Sequence, residues 1–314
     1  MSKPLDIVDI HTHLWPPAWG PGGAREKKSF GFSPEIYRKI TNPDALVSEF
    51  AEAGIALGVV TTTIESLFGP EGPVDQTALP EVNNWLADLA AAHAGIASFA
   101  VVDAFGGEAA AAEAERAIGG LGLAGLVIDS SRDGKFLADP SVRPTLEVAA
   151  RHDVPVFVHP VAHPNSDILI AGAGTLGNSL GRGLMNGVAF LSILQSGVLD
   201  ELPELNLIFA TLGLGGIVQA ARGGKYGRDS AEKPNIYFDT MGDDPRIVRT
   251  LTGFFGADRV LAGTDWPILP ALAAAQLEKN LIAAGLDEAD RRLVAGGNAR
   301  RLLRLPVTRA QAAE

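Results

Sequence analysis

Short, nearly continuous apolar runs recur along the chain. Between them, apolar positions return every three or four residues. The runs fall at 5–11, 57–62, 97–102, 125–128, 155–159, 205–210, 235–239 and 259–263. They are β-branched or wholly apolar, as strands covered on both faces should be. The intervening segments predict helices. Pro80-Glu81 opens one in which Val82, Trp85, Leu86, Leu89 and His93 share a face, and 109–118 is alanine-rich. Asp139-Pro140 is a cap followed by Pro at the first helical position, with its helix running to about 152. Further helices are predicted near 44–53, 187–197, 244–255, 271–284 and from 287 to about 303. Strand and helix alternate eight times, the signature of a (β/α)₈ TIM barrel, read as a single domain over 1–314. Two connections, 14–41 after strand 1 and 159–186 after strand 5, are predicted as long loops. The first carries Trp15, Trp19, Phe30, Phe32 and Tyr37; the second is rich in Gly, Asn and Ser. Both leave the C-terminal ends of strands, where barrels place their sites.

Composition narrows the chemistry. The chain lacks cysteine, so disulfides and thiolate metal sites are excluded, and a transition metal would need His, Asp or Glu. The net charge of −11 comes without a basic cluster, which argues against nucleic acid and anionic membranes as partners. Residues 1–6 lack the apolar run of a signal peptide, and no long uncharged apolar stretch suggests a membrane span. A cytoplasmic protein is expected.

The strand ends carry the candidate chemistry. Side chains alternate along a strand, so His11 and His13 point to the same side. His159 closes strand 5 and Asp265 follows strand 8. Thr62, Asp103, Asp129, Thr211 and Asp239 or Thr240 stand at the other ends. Each of these alone has an ordinary reading: a core histidine, or a turn at Gly263-Thr264-Asp265. Together, three His and one Asp from separate strands suit Zn²⁺ or a similar ion with a position left open. Such an ion lowers the pKa of bound water toward about 7 and polarises a carboxylate or carbonyl oxygen. Asp265 could ligate, handle a proton, or both. His93, on an apolar helix face, and His152, in a helix's last turn, are read as structural. His163, four residues past His159, is open between a substrate or metal contact and neither.

In this order His11-x-His13, Val156-Phe157-Val158-His159-Pro160 and Ala262-Gly263-Thr264-Asp265-Trp266-Pro267 resemble the amidohydrolase superfamily. The subgroup resembled is that of aminocarboxymuconate-semialdehyde decarboxylase and the resorcylate decarboxylases. Val82-Asn83-Asn84-Trp85-Leu86, Ser196-Gly197-Val198-Leu199 before Leu202-Pro203-Glu204-Leu205, and Gly297-Asn298-Ala299-Arg300 support it. The resemblance implies a (β/α)₈ barrel with one divalent metal, usually Zn²⁺ and sometimes Mn²⁺, at His11, His13, His159 and Asp265. No Lys stands near Ile128-Asp129, so the carbamylated lysine of two-metal branches has no counterpart. The resemblance also suggests a homodimer. There is one departure: Thr211 stands where the subgroup has a strand-6 His. Threonine can hydrogen-bond but cannot shuttle a proton near neutral pH. His163 could take over that role, Asp265 could act alone, or activity could be lost.

Three functions follow. The first is non-oxidative decarboxylation of a small aromatic or unsaturated carboxylic acid, with Asp265 as acid/base. In that reading Arg182 or Arg222 holds a second anionic group, and Trp15, Trp19 and Trp266 wall the substrate. The second is metal-dependent hydrolysis of a lactone, amide or ring C–N bond. The third is a non-catalytic, ligand-binding barrel.

Overall fold

The computed structural model describes residues 4–26, 31–223, 235–241 and 244–305, with the side chain of Thr211 outside the description. Phe30 lies outside the described residues. In chain order the strands are β1 (Val8–Thr12), β2 (Leu57–Val60), β3 (Ile96–Ser98), β4 (Ala100–Val101), β5 (Leu126–Asp129), β6 (Ser131–Arg132), β7 (Lys135–Phe136), β8 (Pro155–His159), β9 (Asn206–Phe209), β10 (Ile236–Asp239) and β11 (Val260–Leu261). Each apolar run thus became a strand. The third is divided at the buried Phe99, and β6 and β7 form a small antiparallel hairpin that the pattern did not announce.

The chain forms two compact units: Met1–Thr61 with Leu86–Ser98 and Tyr237–Glu314, and Thr62–Trp85 with Phe99–Ile236. In the first, β1, β2 and β3 pair in parallel, and so do β10 and β11. The amide of Ile10 donates to the Ala262 carbonyl and that of Asp265 to the His11 carbonyl, both at 2.9 Å. These bonds set β11 and the segment after it beside β1. Helix Pro43–Ala53 buries Leu46 and Phe50 and stops at Gly54, whose φ of 76° suits glycine. Each such fully buried side chain contributes about 1.5–3 kcal/mol. Near the C-terminus the buried Asn298 donates to the carbonyls of Ala257 and Val260, both at 2.8 Å. That accounts for the Gly297-Asn298 stretch structurally.

In the second unit β4, β5, β8 and β9 form a parallel sheet, with Asp129 in register with His159. Asp139 accepts the Ser141 amide at 3.0 Å, capping a 3₁₀ turn (Pro140–Val142) that leads into helix Arg143–His152.

The segment after strand 5 differs from its expected loop. It is helical over Ser166–Ala173 and Thr175–Gln195. Its glycines serve close packing: a Cβ on Gly177 would lie 2.1 Å from the Leu169 carbonyl oxygen, and one on Gly183 2.3 Å from that of Leu212. The segment after strand 1 holds a 3₁₀ turn (Pro17–Trp19) and a helix, Pro34–Ile40, capped by Ser33. No helix among the described residues is long and apolar enough to cross a membrane.

Candidate metal centre

Parallel pairing puts the C-terminal ends of β1, β2, β10 and β11 on one side of the first unit. There His11, His13 and Asp265 meet, their ligand atoms within 4.8 Å of one another. Two hydrogen bonds decide how the imidazoles present themselves. His13 Nδ1 lies 2.9 Å from the Thr61 carbonyl oxygen, which can only accept. Nδ1 therefore carries the proton, and in the neutral ring Nε2 is the lone-pair nitrogen. His11 Nδ1 donates to Asp239 Oδ2 at 2.7 Å, with the same result. Both Nε2 atoms face Asp265 Oδ1, at 3.5 Å from His11 and 3.0 Å from His13. Three acceptor atoms thus converge in a buried place. Either an extra proton or a cation must lie among them, and the N,N,O donor set is that of a divalent-metal site.

The surroundings reinforce this. Burial opposes charge on His11, but the carboxylates of Asp265, Asp239 and Asp9 outweigh it and raise its affinity for a proton. The same negative field favours a cation. Asp9 is pushed up to about 6 by burial, against hydrogen bonds from Thr264 and the His11 amide that favour its charged form. The Thr264 amide reaches Asp9 at 3.0 Å and so holds the turn that carries Asp265. Asp265 has a φ of 66°, rare for a residue with a side chain. Backbone strain of this kind concentrates at functional sites.

In the second unit His159 ends β8. Beside it, Asp129 is buried and raised well above the usual carboxylate range by burial and by the nearby Glu65. Asp129 accepts the Glu65 amide at 2.8 Å. Asp103 is also raised, chiefly by burial, and accepts from Gln76 at 2.9 Å.

The remaining candidates are placed as follows. Trp266 is fully buried; its indole N–H donates to Glu49 at 2.9 Å and its ring packs edge-on against Phe50. Trp15 is buried in a cluster with Phe32 and Tyr37, and Trp19 is buried beneath the Arg25 guanidinium. The guanidinium of Arg182 is engaged by Glu65 at 2.7 and 3.0 Å and by the Pro160 carbonyl at 2.8 Å. Arg222 is exposed at the end of helix Leu214–Arg222. His163 is half-buried, and its Nδ1 accepts the Asn165 amide at 3.0 Å. Thr211 opens the 3₁₀ turn Thr211–Gly213 after β9. His152 pairs with Glu115 at 2.8 Å, and His93 is half-buried just past helix Leu79–Ala92.

Sequence reasoning gave no role to Asp239 or Glu65. Asp239 closes strand 7 and could have been sought as the carboxylate behind a ligating histidine. Glu65 stands in the first turn of helix Ile64–Phe68, where an acid is ordinary.

The amidohydrolase family matches residues 8–305. The 2-amino-3-carboxymuconate-6-semialdehyde decarboxylase of Dictyostelium discoideum is 25% identical over 340 residues, covering 95% of this chain and 91% of its own. The gamma-resorcylate decarboxylase of Polaromonas sp. (strain JS666) is 28% identical over 225 residues, covering 63% of this chain and 67% of its own. Among solved structures, a Polaromonas sp. JS666 dihydroxybenzoic acid decarboxylase with bound manganese and the inhibitor 2-nitroresorcinol superposes with a TM-score of 0.75. It is 21% identical, and the match covers 98% of this chain and 99% of that one. This likeness carries the fold, and the expected α/β barrel with parallel strands is borne out. The match running from β1 through the last helix, the chain belongs to the amidohydrolase family.

Proposed function

We propose that the protein is a mononuclear metal-dependent decarboxylase of a small aromatic carboxylic acid. The observation that carries this is the convergence of two lone-pair imidazole nitrogens on Asp265 Oδ1, in a chain whose relatives are named as decarboxylases. His11, His13 and Asp265 would hold the ion, with His159 as the fourth ligand. His159 ends a parallel strand as the first pair does, and enzymes of this fold class draw their site residues from the ends of several strands. Zn²⁺ and Mn²⁺ both suit these donors. A divalent ion bound there supplies Lewis acidity toward the substrate carboxylate and a neighbouring oxygen.

The rest falls to the chain. Asp265, in its acid form, delivers a proton to the carbon bearing the carboxylate. The C–C bond then breaks, its electron pair returns to the ring, and CO₂ leaves. Asp239 and the Thr61 carbonyl keep both imidazoles in the tautomer that faces Asp265. A threonine such as Thr211 cannot carry a proton near neutral pH, so proton transfer rests on Asp265, with His163 as the candidate for a second base. Trp15 and Trp19, 5% and 6% exposed against 0% for Trp266, are the tryptophans left to wall the substrate. The buried placement of Trp266 and the engagement of Arg182 speak for packing and positioning roles in place of substrate contact.

Incubating the metal-loaded protein with 2,6-dihydroxybenzoate tests the reading: CO₂ and resorcinol should appear in equal amounts. Uptake of ¹⁸O from labelled water into the product of a lactone or amide, without CO₂, would establish hydrolysis instead.

The proposed macromolecular partner is a second copy of the chain. Leu176, Leu180, Leu184 and Val188 recur at helical spacing along Thr175–Gln195 and are exposed, as are Ile168 and Ile170 on the preceding helix. Arg182, the one charged residue of Thr175–Gln195, is engaged by Glu65. The stripe therefore offers nothing to a charged partner. These six side chains expose on the order of 600 Å², close to what one partner of a stable complex buries.

A further inference from the structure

We infer that Glu65 and Arg182 are a positioning pair for His159, an assignment that rests on His159 being a metal ligand as proposed above. The chain leaves β8 at His159 and is pinned at four successive residues. The Ser130 amide donates to the His159 carbonyl at 2.8 Å. Arg182 donates to the Pro160 carbonyl at 2.8 Å. The Val161 amide donates to Ser130 Oγ at 3.2 Å, and the Ala162 amide to Glu65 Oε1 at 3.0 Å. Glu65 and Arg182 thus each hold the backbone just after His159 while forming a two-pronged ion pair with each other at 2.7 and 3.0 Å. The Glu65 amide is in turn held by Asp129, the residue in register with His159.

The pair is an expensive way to gain stability. Its side chains are 3% and 17% exposed, and desolvating two charges offsets most of their attraction. What such a pair secures is geometry: the planar guanidinium fork fits one arrangement of carboxylate and carbonyl. A ligating imidazole needs that fixity, because a displacement of about 1 Å at the ligand is enough to loosen a site. Arg182 is thereby assigned to holding the protein's own backbone and not to a substrate anion.

The test measures two quantities on the full-length protein: Mn²⁺ affinity by chelator competition, and amide exchange at Val161 and Ala162 without metal. Arg182→Gln should weaken Mn²⁺ binding by about 10–100-fold, as loss of outer-layer support does elsewhere, and should speed exchange at Ala162. Arg182→Lys, which keeps the charge but not the fork, should recover part of the affinity. Arg143→Gln, which breaks a more exposed pair with Glu147 in the same unit, should change neither quantity. Should Arg182→Gln fail to fold, Glu65→Gln and Arg182→Lys carry the comparison. Faster exchange with unchanged Mn²⁺ affinity would overturn the inference, because the anchor would then be structural only. Unchanged exchange would overturn it as well. A wild type that binds no Mn²⁺ is seen before any variant is made; it overturns the metal reading and this inference with it.

Discussion

His11 and His13 are held from behind by different acceptors, and that difference is testable. Asp239 is a charged partner to His11, whereas His13 leans on a backbone carbonyl that mutation cannot remove. Asp239→Asn should therefore act through His11 alone. Metal affinity should fall by about 10–100-fold, which chelator competition measures, while the folded protein persists. Asp265→Asn should go further and abolish CO₂ release, since it removes a ligand oxygen and the proton carrier together. At this scale the ligand types were legible in the sequence, because His-x-His and Gly-Thr-Asp stand at strand ends. The partners were not. Asp239 meets His11 across 228 positions, and no local pattern encodes that distance. Glu65 and Arg182, 117 positions apart, were hidden for the same reason.

Elements were read well where burial alone decides structure. Strand 5 was expected at 155–159 and is observed as Pro155–His159. Expectation failed where packing overrides propensity, as in the segment 159–186 expected as a loop. There glycine, serine and asparagine suggested a loop, yet tight contacts of Gly177 and Gly183 with neighbouring backbone make a long helix the better packing. Helix starts were legible as well. Asp244 was expected at the start of a helix and accepts the Arg246 amide at 2.8 Å at the head of Pro245–Phe255. Its side-chain bond to Arg246 leads in lowering its pKa to about 2. A lowered folded-state pKa means the contribution to stability is present above the unfolded value near 3.8 and is lost as pH falls toward 2. Asp244→Ala should thus lower Tm at pH 7 and make little difference near pH 2, as thermal melts at the two pH values would show.

For the whole molecule, the apolar stripe of Thr175–Gln195 predicts association. Light scattering should find a dimer, and Leu180→Glu with Leu184→Glu should give a folded monomer; a wild-type monomer at micromolar concentration would contradict this reading. The proposed function draws on residues from His11 to Asp265 for one ion. The most direct measurement is metal content after loading with Mn²⁺ or Zn²⁺ and removal of excess. One ion per chain is expected in the wild type and almost none in His13→Ala. A folded wild-type protein that retains no stoichiometric metal, or a His13→Ala variant that retains it fully, would contradict it.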